Sequence, residues 1–437
     1  MNKIFKRSYH PGYGNYNLKK ICLPLCPSNQ IIKYDKPVLG NKIQEIQFKK
    51  NILSYKTDDI NHYSHKIGDL FKNKVFLPTS HNTPIITALQ SCRNIDSSKF
   101  INYLNNLNIT NKVIDDNGVF INNDKNKTKL LKILNLCTTF QEKKIIDSAI
   151  QGIFSNYGDS IYIANDYLQV SNKHVIISNY PDTISQREIE RCRIVAYSLL
   201  LGNYPILLDN HINFEGEANI KFIPAQIVNK ITNEYYQLCI SYSSSRSDLR
   251  CIDNINKYLD KLSLPLLYNI NIEPKLHLKE YFYHLDCILN FSVDSELQFF
   301  NSIDDFWNNY KKNGTLIYEK NSIKAKYLNT LNRLFGHKIN VSKNDDLLSP
   351  NMIVSPKYIV GSSNITNKHE IPNFYHFIHP SYGGGGAHKC CSNIISVNKS
   401  ISIDKWLDFC KKLDINVNTN FINGVKSEIN RLENFFI

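Results

Sequence analysis

Glycine and proline are scarce in this chain, at 17 and 15 of 437 residues. That scarcity excludes long flexible linkers and collagen-like or low-complexity character. No stretch approaches eighteen consecutive apolar residues, so no membrane span is expected. The basic start, MNKIFKRSYHPGYGNYNLKK, lacks a following apolar run, which argues against a secretory signal. Cys22 and Cys26 lie four apart, but no second pair at zinc-ligand spacing accompanies them. The 11 cysteines are odd in number and scattered. They predict free thiols in a reducing, cytoplasmic compartment and no disulfide framework.

What is present is an ordinary globular composition, 42% hydrophobic and 21% charged, with a formal charge of +13. The positive charge raises nucleic acid as a partner. Yet no run of five Lys or Arg occurs, and the basic residues are dispersed among Asn and Ile. The reading is a solvated basic surface and no nucleic-acid patch; an oligomer is compatible with the sequence.

Residues 1–73 are polar with weak periodicity and read as an irregular N-terminal extension of unknown role. From Lys74 the texture changes. KVFLPTS reads as a strand, and SSKFINYLNNL as a helix, with Phe100, Tyr103, Leu104 and Leu107 on one face. Residues 115–129 read as a polar loop. In a second cycle SIYIAND and VIISN are strands, and TISQREIERCRIVAYSLLLG is a helix with a capping box of Ser185 and Glu188. PILLD follows as a strand. A third cycle runs through YQLCISYSS, DLRCIDNINKYLDKL, PLLYNI and YFYHLDCILNF. A fourth comprises SIKAKYLNTLNRLFG, MIVS and YIVGSS. Residues 401–437 read as a helical appendage. The recurrence of strand pairs and helices over residues 74–400 predicts an α/β domain built from repeated units.

Three segments carry chemistry. Read as a strand, YFYHLDCILNF projects His284 and Asp286 to one face, roughly 7 Å apart. Both are costly to bury unless paired or used. SYGGGGAHKCCSN places four glycines, Gly383 to Gly386, ahead of His388, Lys389, Cys390 and Cys391. Such a backbone can approach a ligand closely, and a thiol beside Lys and His can act as a nucleophile. FEGEANIKF places Glu215 and Glu217 on one face if extended, and Asp166 ends the apolar run IYIAND. A Cys, a His and several carboxylates suit attack on a guanidinium carbon. Acids hold that permanent cation, a thiolate attacks, and an imidazolium protonates the departing amine.

These motifs resemble those of the guanidino-group-modifying enzymes: the deiminases of arginine, agmatine and peptidyl-arginine, the amidinotransferases, and the dimethylarginine dimethylaminohydrolases. HLDCILNFSVD resembles the arginine deiminase strand and GGGGAHKCCS the agmatine deiminase loop, with three residues between the last Gly and Cys390. SSSRSD, with Arg246, is similar to the deiminase segment that meets the substrate carboxylate. The chain departs from the family in having Glu215-Gly216-Glu217-Ala218 for Glu-Gly-Gly-Asp, Tyr382 for an Arg before the loop, and Asn165 for an Arg before the Asp.

The resemblance implies a pentein, a five-bladed α/β propeller over about residues 75–400, with no cofactor or metal. It implies Cys390 as nucleophile, His284 as acid and base, and Asp166 and Asp286 on the guanidinium, with Glu215 in support. Arg246, Gly385 and Gly386 would bind substrate. The expected activity is an arginine-like deiminase. The alternatives are an amidinotransferase on the same scaffold or a catalytically inactive pentein that binds a partner.

Overall fold

The computed structural model describes residues 19–34, 37, 42–80, 83–107, 124–154, 158–229, 231, 234–244, 246–273, 275, 283–292, 297–312, 314–341, 350–354, 359–361, 374–377, 379–380 and 386–436. It is mixed α/β, as expected, and all 11 cysteines are free. Among the described residues no helix is long and apolar enough to cross a membrane.

Five small sheets share one pairing, in which a middle strand is antiparallel to one neighbour and parallel to the other. Tyr167–Ser171 is antiparallel to His174–Ile177, which is parallel to Tyr204–Leu207. Ile220–Asn229 is antiparallel to Glu234–Tyr242, which is parallel to Leu266–Ile272; Gln298–Phe300 adds a fourth strand to this sheet. Leu289–Ser292, Thr315–Tyr318 and His337–Asn340 repeat the arrangement, as do Ile353–Val354, Ile359–Gly361 and Phe374–His376. The last sheet joins the two ends of the chain: Lys19–Leu25 is antiparallel to Asn393–Ser396 and parallel to Lys74–Pro78.

A parallel pair needs a long crossover. Helices Thr57–Phe71, Arg191–Leu200, Cys251–Lys261 and Ala325–Leu334 each fill one. In Cys251–Lys261, Cys251, Ile252, Ile255, Tyr258 and Leu259 are buried, a helical stripe that packs on Leu267 and Cys239. Helices Ile85–Ser91, Ser98–Asn106 and Phe140–Phe154 form a separate apolar cluster around Phe100, Leu104 and Ile146. The expected C-terminal helices are Ile403–Lys412 and Thr419–Phe436, with Trp406 and Val425 buried against the Arg191–Leu200 helix.

The N-terminal region departs from expectation. Its described residues, from 19 on, are not irregular: they hold strands Lys19–Leu25, Ile31–Lys33 and Ser54–Lys56 and helices Lys42–Lys49 and Thr57–Phe71. Its short apolar run ICLPLC is a middle strand, and Ile60, Tyr63 and Ile67 give the second helix a buried face. Two expected strands also differ. SIYIAND is two 3-10 turns, Gly158–Ile161 and Ile163–Asn165, and in YFYHLDCILNF a 3-10 turn covers Leu285–Cys287. FEGEANIKF is one helical turn, Gly216–Asn219, before its strand. The expected capping-box helix opens instead as a 3-10 segment, Asp182–Glu190, with Glu188 accepting from the Tyr180 amide. Of the expected loop at 115–129, residues 115–123 lie outside the described residues, and helix Asp124–Leu131 covers the rest.

Candidate active site

Those irregular turns carry or border Asp166, Glu215, His284 and Asp286. A strand sends alternate side chains to opposite faces, whereas a tight turn frees neighbours from that rule. Glu215, fully buried at the entry to its turn, is where they meet. Its Oε2 accepts from Asn165 Nδ2 at 3.0 Å, lies 2.5 Å from His284 Nε2, and lies 3.6 Å from Arg246 Nη1. Burial pushes the Glu215 carboxyl up, but Arg246 and then His284 outweigh it and hold the group below its ordinary value. Gly216 makes the approach feasible. It has φ +53, and a Cβ there would lie 2.7 Å from the Ala164 carbonyl oxygen.

The Cys390 thiol is 4% exposed. Its Sγ lies 3.8 Å from Asp286 Oδ2, and Asn351 Nδ2 donates to it at 3.0 Å. The Cys390 amide donates to Asn351 Oδ1 at 3.0 Å, and its carbonyl accepts from the Ala164 amide at 3.0 Å. Burial, and next the Asp286 carboxylate, push the thiol well above its ordinary value; Asn351 and Lys389 offset this in part. The preceding Lys389 pairs with Glu217 Oε2 at 3.0 Å. A Cβ on Gly386 would lie 2.2 Å from the Tyr162 ring, so this loop sits hard against the 3-10 turn before Asn165.

Four buried polar atoms in this group have no hydrogen-bond partner among the described residues: Asn165 Oδ1, Glu215 Oε1, His284 Nδ1 and Arg246 Nη2. They are two acceptors, one donor and an imidazole nitrogen. Buried polar atoms are rarely left so, which makes this cluster the candidate site. Arg246 is steadied from the other side, its guanidinium 4.1 Å from the Tyr283 ring centre.

Asp166 points elsewhere. Its Oδ1 accepts from Tyr180 at 2.9 Å and Arg187 at 2.9 Å, and its Oδ2 from Arg193 at 3.3 Å. Burial, then Glu190, push this carboxyl up, to about 7, against Arg193 and Arg187. Both its oxygens are thus taken by protein cations. The group that faces Glu215 is its neighbour Asn165. Asp159 is also close. Burial raises its carboxyl despite Arg187 and Arg246, and Tyr34 and Gln44 of the N-terminal region both donate to its Oδ1 at 3.0 Å.

The structure therefore brings together Glu215, His284, Asp286, Arg246 and Cys390, with Gly386 beside them, and ties Asp166 into an ion cluster behind them. Gly385 lies outside the described residues. Asn351 and Asn165 were not singled out as site residues by their sequence. Asn165 stood out only as the residue in place of the family's Arg before Asp166, and Asn351 merely follows Pro350 ahead of MIV. Donor atoms of His284, Asp286 and Cys287 lie within 4.8 Å of one another and could hold a metal ion. Burial, then Asp286, push the Cys287 thiol well up, which disfavours the thiolate a metal needs.

No protein-family model matches the chain, and no curated protein matches its sequence. Among solved structures it is similar to the N-terminal domain of ArgZ, an arginine dihydrolase of the cyanobacterial ornithine-ammonia cycle, bound to substrate. Identity is 17%, coverage 55% of this chain and 76% of that one, and the TM-score 0.38. It is also similar to AgrE in complex with ornithine and NAD+, at 16% identity, 55% and 30% coverage, and a TM-score of 0.39. A third is SxtG, an amidinotransferase from Microseira wollei in saxitoxin biosynthesis, at 9% identity, 56% and 72% coverage, and a TM-score of 0.37.

Proposed function

We propose that this protein is a guanidino-group-modifying hydrolase, a deiminase that cleaves a guanidinium C–N bond through an adduct on Cys390. One observation carries the reading: four unmet buried polar atoms, on Asn165, Glu215, His284 and Arg246, gather near a thiol flanked by Asp286. The five like sheets are read as the blades of a pentein propeller with this group at its centre.

The chemistry follows from the charges. The free thiol stays protonated, because burial and Asp286 both oppose the thiolate. A guanidinium held between Asp286 and Glu215 removes that opposition, since its charge offsets both carboxylates. The thiol proton passes to His284 Nδ1 as Sγ attacks the guanidinium carbon. Glu215 on Nε2 stabilises the imidazolium so formed. The C–N bond then breaks, and His284 returns the proton to the departing amine. Water, deprotonated by His284, attacks the thiouronium carbon. The C–S bond breaks, leaving a ureido product and the thiol. Arg246 Nη2, which has no partner among the described residues, suits a substrate carboxylate.

Transfer of the amidino group to an amine shares the attack of Cys390 on the guanidinium carbon, but the other C–N bond breaks, the substrate amine leaves, and only the amidino group stays on sulfur. The burial of Cys390 and His284, at 4% and 1% exposure, restricts water and supports this second reading. The test is incubation with arginine, agmatine and an arginyl peptide, with and without an amine acceptor and a chelator, beside Cys390→Ser. Ammonia with a ureido product supports deimination. Ornithine formed only with an acceptor supports transfer. No turnover of any of them by folded protein rejects both and favours the binding-protein reading.

A further inference from the structure

A cavity of about 330 Å³ lies where the Arg191–Leu200 helix meets the segment 414–418 and the start of the Thr419–Phe436 helix. Arg191 lines it. This residue is 3% exposed, its guanidinium sits 5.2 Å from the Phe421 ring centre, and its Nε has no partner among the described residues. Its nearest carboxylate, Glu188, is 3.9 Å from Nη1 and is already engaged: Glu188 Oε1 accepts from the Tyr180 amide at 2.9 Å and lies 3.2 Å from Arg93 Nε.

Two arginines therefore share one acid, and they are not equivalent. Arg93 spends its donors on structure, giving Nη1 to the Asn210 and Ile212 carbonyls at 2.7 and 3.1 Å and Nη2 to Asn213 Oδ1 at 3.0 Å. Among the described residues Arg191 has one hydrogen bond, a long one of 3.4 Å to the Ser91 carbonyl. Burial, outweighing Glu188, lowers its hold on its proton, so an anion beside it would be stabilising.

The acids that line the same cavity are already matched. Asp209 accepts from Tyr258 at 2.9 Å and Asn254 at 2.7 Å and faces Lys257 at 3.5 Å, while Asp414 pairs with Lys261 at 2.7 Å. The cavity also borders the N-terminus of an 18-residue helix, where Asn418 Oδ1 accepts the Phe421 amide at 2.8 Å. The positive end of that dipole adds to the guanidinium.

We propose that this cavity is a second binding site, for a small oxyanion, carboxylate or phosphate, held by Arg191 at the start of the Thr419–Phe436 helix. The site is separate from the thiol group described above: Arg191 uses one face of its helix, whereas Arg193 on the same helix reaches Asp166. The ligand class follows from a planar guanidinium donor with one dominant partner missing.

The test is calorimetric titration of the full chain with inorganic phosphate and, separately, acetate, at constant ionic strength set by chloride. Saturable binding of either is expected; phosphate alone or acetate alone identifies the source. Asn416→Glu, an exposed position at the cavity mouth, should weaken it roughly tenfold or more without lowering thermal stability. Arg191→Gln should abolish it. No saturable heat with either anion, or binding unchanged in Asn416→Glu, overturns the proposal. The Asn416→Glu arm remains informative if Arg191→Gln does not fold.

Discussion

Asn351 holds Cys390 with both ends of its amide, Nδ2 on the sulfur and Oδ1 on the backbone N–H, each at 3.0 Å. The pair fixes where the thiol points and offers a donor to the thiolate once it forms. Asn351→Ala is expected to lower kcat by roughly ten- to a hundredfold, the worth of one hydrogen bond to a charged group. Steady-state kinetics beside a melting curve checks this. A fall in kcat no larger than the stability change explains would remove Asn351 from the chemistry.

The thiol state in the free protein gives a pH test. Burial and Asp286 hold Cys390 protonated above the ordinary thiol value of 9.0. Alkylation of Cys390 by iodoacetamide should therefore be slow at neutral pH and rise only in the alkaline range. Asp286→Asn removes a negative neighbour, which lowers the thiol value and should shift that rise to lower pH. The rates are followed by intact mass. Fast alkylation at neutral pH without substrate would contradict the assignment.

Asn165 and Asp166 are adjacent, yet they belong to different parts of the molecule. Asn165 meets Glu215, and Asp166 is enclosed by Arg187, Arg193 and Tyr180. Asn165→Ala should cost activity, roughly ten- to a hundredfold in kcat/KM, with little change in melting temperature. Asp166→Ala should destabilise the fold by about 3–5 kcal/mol, because it leaves the buried Arg187 and Arg193 with Glu190 as their one shared carboxylate among the described residues. Denaturant unfolding and kinetics on both variants separate the two roles. A reversed pattern would restore Asp166 as the substrate-facing group.

The pattern of strands and helices was legible where periodicity is strong. Cys251–Lys261 and Ala325–Leu334 appear as plain amphipathic stripes, and the short apolar runs of the second to fourth cycles are strands except SIYIAND and the first part of YFYHLDCILNF. The sheet that joins the chain ends was not legible, because pairing of Lys19–Leu25 with Asn393–Ser396 leaves no local trace. At the site, His284, Glu215 and Cys390 stood out by residue type and motif. Their turn geometry did not, since an apolar run such as IYIAND looks like a strand whether or not it turns. Asn351 was illegible for a related reason: an amide becomes informative only when its partner, 39 residues away, is known.

Arg246 reports on substrate class. Its unmet Nη2 suits a carboxylate, so Arg246→Ala should raise KM for arginine by roughly tenfold or more and leave agmatine, which lacks that group, far less affected. Equal losses for both substrates would instead assign Arg246 to holding Glu215, which it faces at 3.6 Å.

The central claim is a covalent bond between Cys390 and a guanidinium carbon. Acid-quenched intact-mass measurement during turnover of arginine, followed by peptide mapping, tests it directly. The account predicts an adduct on Cys390 that retains the whole substrate skeleton less ammonia, and its absence in Cys390→Ser. An adduct bearing only the amidino group would place the enzyme among the transferases. Turnover without any adduct on Cys390, or undiminished activity in Cys390→Ser, would contradict the account.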